Sequence, residues 1–116
     1  MSKKEFSGVR DLSYSRWHRK LPGWCWMIDL DAIEIRKDKI VALIETKDIR
    51  AGELPMWRKT LLMRMGDALS VPAYVVYHNL ALDNEAPIFK VKKLGNPDYI
   101  IMIEAEYQQF IMNLGG

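Results

Sequence analysis

Apolar and polar residues follow two different periods along the chain, and the period predicts the type of element in each segment. Segments rich in β-branched and aromatic residues are typical of strands, whereas an apolar residue at every third or fourth position is typical of an amphipathic helix. In chain order we predict a helix over 9–19, strands over 24–36 and 40–47, a helix over 54–69, strands over 73–78 and 88–93, a strand or apolar lead-in over 99–102, and a helix over 103–114.

This order predicts a single α/β domain over residues 1–116, with a small mixed sheet and helices on both of its faces. A turn centred on Asp38 separates the first two strands, so we expect an antiparallel hairpin. The second predicted helix connects this hairpin to the apolar strand over 73–78, which predicts a right-handed parallel crossover. Residues 1–8 precede the first element, and we expect them to be flexible.

The helix over 54–69 carries one apolar stripe, which we expect to pack on the sheet. Three basic residues of this helix, Arg58, Lys59 and Arg64, fall off the stripe. The chain has four tryptophans, and we expect most of them in the core because large aromatic side chains dominate core packing. The residues of the stripe are Leu54, Trp57, Leu61, Met65 and Ala68.

Composition restricts the class of protein. The chain is 49% hydrophobic and 28% charged, which is typical of a globular domain and not of a disordered chain. No apolar run approaches the roughly 20 residues of a membrane-spanning helix, so we predict no membrane association. The single cysteine, Cys25, excludes an internal disulfide and multi-cysteine zinc sites, which fits a cytoplasmic protein.

Charge is distributed unevenly along the chain. The formal net charge is +2, but residues 1–23 alone contain six basic and two acidic residues. Such a basic segment fits an anionic partner at one edge of the domain, and it fits equally well a basic helix end that faces solvent.

The two strands of the hairpin bring acidic residues and a lysine together. If the turn is centred on Asp38, then Asp31 lies opposite Glu45, and Asp29 lies opposite Lys47. All four side chains then share one face, because side chains alternate along a strand. A slip of one residue in register would separate them onto opposite faces. The same face is expected to continue with the apolar residues Ile33, Ile35, Val41 and Leu43.

Two opposed carboxylates repel each other unless a cation lies between them. Mg²⁺ and Mn²⁺ prefer oxygen ligands, and Mg²⁺ needs only one or two protein carboxylates. We therefore predict a metal site of Asp29, Asp31 and Glu45, with either aspartate as the primary ligand, and Lys47 beside it to stabilise developing charge. An Asp29–Lys47 salt bridge on a solvated sheet face would give the same sequence pattern.

The hairpin with Asp31, followed by Glu45-x-Lys47, a helix and an apolar strand, resembles the PD-(D/E)xK superfamily of restriction-endonuclease-like nucleases. The string YSRWHRKLPGWCWMIDLDAIEI followed by VALIETK is similar to small uncharacterised nuclease-like proteins of phages and prokaryotes. The resemblance implies a restriction-endonuclease-like α/β/α domain, with Asp31 and Glu45 as metal ligands and Lys47 as the catalytic lysine. It also implies Mg²⁺ or Mn²⁺ as cofactor and DNA as substrate.

The basic residues before the Leu21-Pro22 break form a second candidate site. Arg16 and Arg19 share a helical face and are predicted to bind one phosphate of a nucleic acid, with His18 as a further contact. The alternative is a surface basic helix with no ligand.

We therefore expect a metal-dependent nuclease that acts on DNA in the cytoplasm, or in the host cytoplasm if the chain is virus-encoded. Because so small a core has little surface to enclose a duplex, we also expect a homodimer or a larger complex. Two other hypotheses stay open: a nucleic-acid-binding or assembly protein that has the fold without the activity, and a structural domain whose charges form surface salt bridges.

Overall fold

The computed structural model describes residues 13–25, 27 and 30–116. The predicted flexible segment 1–8 and the first residues of the predicted helix over 9–19 lie outside this description. None of the helices in the described part combines the length and the apolarity needed to cross a membrane. The described elements are α1 (Ser13–His18), β1 (Ala32–Arg36), β2 (Lys39–Asp48), α2 (Met56–Leu69), β3 (Ala73–His78), β4 (Ile88–Lys93), β5 (Ile100–Ile103) and α3 (Glu104–Asn113).

The five strands form one mixed sheet in the order β1-β2-β3-β4-β5. Strand β2 runs antiparallel to β1 and parallel to β3, as the predicted hairpin and crossover require. Strands β3, β4 and β5 continue as antiparallel neighbours. The prediction of an α/β fold with a small mixed sheet is therefore confirmed.

The two longer helices cover different parts of opposite faces of the sheet. Helix α2 packs on β2 and β3, and helix α3 packs on β4 and β5 from the other side. Each face has its own apolar cluster. The buried residues on the α2 side are Leu43, Leu54, Leu62, Ala73, Val75 and Tyr77, and those on the α3 side are Ala42, Ile44, Val76, Phe89, Val91 and Leu114.

The first strand is shorter than predicted. We expected a strand over 24–36, but β1 begins only at Ala32. At this point the backbone N–H of Thr46 donates to the side chain of Asp31 (3.0 Å). Because a side-chain oxygen takes the place of a backbone carbonyl, the ladder of the hairpin ends here.

A β-bulge changes the face of one predicted residue. Glu34 pairs with Ala42 but Ile35 pairs with Ile40, so Val41 is an extra residue on β2. Val41 consequently packs with the cluster on the α3 side, and not on the face of Leu43 as predicted.

The prediction that apolar residues continue the face of Asp31 and Glu45 into a buried surface is also only partly correct. Leu43 is buried, but Ile33 and Ile35 are exposed because α2 does not extend over β1.

The inward stripe of α2 is rotated from the predicted one. Leu62 and Gly66 are buried, whereas Trp57 is exposed. At Gly66 the helix approaches the loop before β3 so closely that an added Cβ would lie 2.7 Å from the carbonyl oxygen of Val71. This close contact requires a glycine and directs the helix so that Arg58, four residues before Leu62, faces the sheet.

Candidate active site on the β1–β2 hairpin

The register of the hairpin brings Asp31 beside Glu45, as predicted. At this end of the hairpin, Ala32 pairs with Ile44 and Ile33 pairs with Leu43. The same register places Asp31 opposite Glu45. Asp31 is held by Thr46, whose backbone N–H and hydroxyl both lie near Oδ2, at 3.0 and 3.3 Å. The Asp31 side chain is thus fixed by the strand that carries Glu45.

Glu45 is the only buried carboxylate among the described residues, with 4% of its surface exposed. On α2, Arg58 donates from Nε to Glu45 Oε2 at 2.7 Å, and the Arg58 side chain is itself 18% exposed. Burial raises the pKa of the Glu45 carboxyl above its ordinary value of 4.5, and the nearby Asp31 carboxylate raises it further. The Arg58 guanidinium lowers the pKa, but it does not reverse the net upward shift.

Lys47 lies on the same face as Glu45, two residues further along β2. Its cross-strand neighbour on β3 is Tyr77, which belongs to the apolar cluster on the α2 side. Lys47 is half-buried, and it forms no ion pair with any residue of the described part. The proposed alternative partner, Asp29, lies outside the described residues.

Asp31 and Glu45 fit a divalent cation with two protein carboxylates as ligands. Each ionised carboxylate has two oxygens that accept several contacts, so Glu45 has acceptor capacity beyond the bond from Arg58 to Oε2. Mg²⁺ takes one or two carboxylates and completes its coordination with water and phosphate oxygens. Within residues 13–25, 27 and 30–116, no group of three or more acidic, histidine or cysteine side chains is arranged to hold a metal. The third predicted ligand, Asp29, lies outside that range.

A hydrogen-bonded cluster lies next to the candidate site on the same side of the sheet. The Tyr77 hydroxyl accepts from the Leu54 N–H (3.0 Å) and donates to Glu53 Oε2 (3.1 Å). The Tyr99 hydroxyl donates to Glu53 Oε1, and Lys59 Nζ lies 3.2 Å from Oε2. These contacts, chiefly the one from Tyr99, lower the pKa of Glu53 to about 2, so Glu53 is ionised at neutral pH.

The predicted phosphate-binding residues are accessible but separate from the acidic pair. Arg16 and Arg19 are exposed, and His18 is half-buried. In the described part of the chain, none of the three forms a hydrogen bond or ion pair with Asp31, Glu45 or Lys47.

His18 and Arg19 instead line a groove of about 430 Å³, of which Trp57 on α2 forms one wall. Trp17, Trp24 and Trp57 are all about half exposed or more, so the expectation that most tryptophans lie in the core is wrong for these three. Trp26 lies outside the described residues.

Arg58 is the site residue that the sequence interpretation missed. The predicted apolar stripe of α2 does not include Arg58, because the face of α2 that packs on the sheet is centred on Leu62 and Gly66. The signal was the spacing of four residues from Arg58 to Leu62 and from Leu62 to Gly66, which places all three on one helical face. Glycine contributes nothing to a hydrophobic stripe, so this face was not recognised.

No family model, curated protein or solved structure matches this chain. The resemblance to PD-(D/E)xK nucleases stays a prediction, carried by the order of elements and by the motif residues Asp31, Glu45 and Lys47.

We predict that Arg58→Met destabilises the protein by about 3–5 kcal/mol at pH 8, because the substitution leaves the buried Glu45 carboxylate without its guanidinium partner. The raised pKa of Glu45 fixes the sign of the pH dependence. A protonated Glu45 needs no cation, so the difference from native protein shrinks as the pH falls toward 4.5. Urea unfolding of both proteins across this range measures the effect.

Arg64→Met is the matched control, because Arg64 is an exposed residue of the same helix. We expect its free energy of unfolding to stay within about 0.5 kcal/mol of native at every pH. An Arg58→Met loss that is equally large at pH 8 and pH 5 would contradict the assigned role of Glu45.

Proposed function

We propose that this protein is a Mg²⁺-dependent nuclease that hydrolyses phosphodiester bonds in DNA in the cytoplasm, with Asp31, Glu45 and Lys47 as catalytic residues. The observation that carries the proposal is the buried Glu45 beside Asp31 at one end of a hairpin, with Lys47 on the same face. Fully buried carboxylates are rare, and perturbed pKa values cluster at functional sites. The parallel β2–β3 pair joined by α2 also supports the likeness to restriction-endonuclease-like nucleases.

Each residue has a distinct role in the proposed reaction. Asp31 and Glu45 supply the oxygen ligands, and Mn²⁺ would serve in place of Mg²⁺. A bound divalent cation polarises the phosphodiester and lowers the pKa of a water molecule. The Lys47 ammonium stabilises the negative charge that develops on the phosphate. Arg58 holds Glu45 in position and favours its ionised form.

The phosphodiester chain on either side of the reacting bond needs separate contacts. We propose that Arg16, His18 and Arg19 bind this flanking backbone, because phosphate contacts come chiefly from exposed basic side chains.

A second candidate function is favoured by the Arg58–Glu45 ion pair. The guanidinium already neutralises much of the charge of Glu45, so the two carboxylates are tolerated without a metal. The chain would then bind nucleic acid, or take part in an assembly, without cleaving it.

We also propose a homodimer. Strand β5 is an edge strand of four uncharged residues, and Ile100, Ile101 and Ile103 are each at least 60% exposed. Exposed apolar edge strands pair readily with another chain. The opposite edge strand, β1, contains Glu34 and Arg36 and is less suited to pairing with a copy of itself.

The nuclease proposal predicts that native protein cleaves supercoiled, linear or single-stranded DNA with Mg²⁺ or Mn²⁺ but not with EDTA. Asp31→Asn, Glu45→Gln and Lys47→Met should each lower the rate at least about 100-fold, because each removes a group that acts in the transition state. Asp38→Asn and Lys39→Met, at the turn end of the hairpin, are matched controls that should cleave at the native rate.

Thermal unfolding of each variant separates lost activity from lost structure. Cleavage that survives all three site substitutions, or that proceeds in EDTA, would refute the assignment. Binding of DNA with no cleavage and no heat of Mn²⁺ binding would support the second candidate function instead.

The homodimer predicts a sedimentation mass twice the 13.5 kDa of the chain at the concentrations of the cleavage assay. A monomeric mass at those concentrations would contradict it.

A further inference from the structure

One part of the sheet surface next to the candidate site is not covered by a helix. Helix α2 packs on β2 and β3 only, and α3 lies on the other side of β4 and β5. The α2 side of β4 therefore carries no helix, and its charged residues there are Lys90 and Lys92, both half-buried, beside the apolar Ile88. Neither lysine forms an ion pair with a residue of the described part.

Both lysine side chains are directed by one aromatic ring. The Nζ atom of Lys90 lies 4.4 Å from the centroid of Tyr99, and that of Lys92 lies 5.0 Å from it. An ammonium group over an aromatic face is attracted by the ring quadrupole. The ring is held in turn through its hydroxyl, which donates to the ionised Glu53.

The two ammonium groups are consequently held within about 10 Å of each other, which is no more than a screening length at moderate salt. An anion that contacts both would relieve their repulsion, and Glu53 is already bound by Tyr77, Tyr99 and Lys59.

The register connects this surface to the candidate site. Lys47 is next to Tyr77 on β3, which is next to Lys90 on β4, and Glu45, Val75 and Lys92 are aligned in the same way. Two strand spacings separate each pair, a distance of about 10 Å. Each strand of duplex DNA advances about 3.4 Å per nucleotide along the helix axis, so on a duplex this distance corresponds to about three nucleotides.

We propose that Lys90 and Lys92 bind the phosphodiester backbone of the nucleic acid about three nucleotides from the bond held at Asp31 and Glu45, with Tyr99 as the residue that positions both lysines. The inference rests on the proposed nuclease function for the identity of its ligand. It assigns a binding surface distinct from Arg16, His18 and Arg19, which lie on α1 and the turn after it.

The test is fluorescence anisotropy with a labelled single-stranded oligonucleotide and the corresponding duplex, in EDTA, at several salt concentrations. Lys90→Gln/Lys92→Gln should raise Kd at least about fivefold on the preferred form and should reduce the slope of log K against log salt by about 1.4 for a single strand, or about 1.8 for a duplex. Lys37→Gln/Lys39→Gln removes the same charge at the far end of the hairpin and should change Kd less than about twofold.

Two substitutions at Tyr99 test positioning separately from charge. Tyr99→Leu removes the ring and should weaken binding toward the level of the double lysine variant. Tyr99→Phe retains the ring but loses the hydroxyl bond to Glu53, so it should weaken binding less than Tyr99→Leu does. Thermal unfolding confirms that each variant is folded. Binding by Tyr99→Leu within about twofold of native would refute the positioning role of the ring.

The binding assay needs neither metal nor cleavage, so it tests the lysine surface independently of the nuclease proposal. If the double lysine variant binds as the native protein does, or matches the Lys37/Lys39 control, the inference is wrong even if Asp31→Asn abolishes cleavage. If native protein binds neither oligonucleotide, the inference is also wrong. If the lysine variant loses binding while Asp31→Asn cleaves normally, the result supports the binding surface and refutes the catalytic role of Asp31.

Discussion

Glu45 places a carboxylate inside the protein, and the arrangement around it depends on how its charge is compensated. Arg58 reaches it from α2 at 2.7 Å, while Asp31 approaches from the neighbouring strand with charge of the same sign. Burial penalises the charged form, so a carboxylate here is retained only with a partner. Glu45 thus has one guanidinium partner and one carboxylate neighbour, and these two carboxylates are the ligands of the proposed cation site.

The position of Arg58 follows from the packing of α2, and this joins the site to the core. Gly66 lets α2 approach the loop before β3, and Leu62 on the same face of α2 is fully buried. Those contacts fix the rotation of the helix, and its rotation directs Arg58 toward Glu45. Helix α2 does not extend past β3, so no helix covers Lys90 and Lys92, which lie on the same sheet face as Lys47.

The fold was largely predictable because the strongest patterns are local. Strands β3 and β4 have the predicted bounds, since each is a short apolar or alternating run between turn residues. The predicted register at Asp31 and Glu45 is correct, but the turn alone does not produce it. The turn has two central residues, Lys37 and Asp38, both with a positive φ, whereas the prediction centred it on Asp38. The bulge at Val41 shifts the register by one residue, and this shift gives the pairs nearest the site the predicted partners.

What the sequence did not predict depends on contacts between distant elements. The shortening of β1 results from a side chain of Asp31 taking the place of a ladder acceptor, and the exposure of Ile33 results from the limited reach of α2. The pairing of Arg58 with Glu45 and the convergence of Lys90 and Lys92 on Tyr99 join residues on separate elements. No local period encodes such contacts, which arise only when the sheet and helices are assembled.

The most direct test of this account is a ¹³C NMR titration of the Glu45 side-chain carboxyl in metal-free protein. The account predicts a midpoint above 4.5, and a lower midpoint in Asp31→Asn, because burial and the Asp31 carboxylate both disfavour the charged form. A Glu45 midpoint at or below 4.5, unchanged by removal of the Asp31 charge, would contradict the buried carboxylate pair on which the proposed site depends.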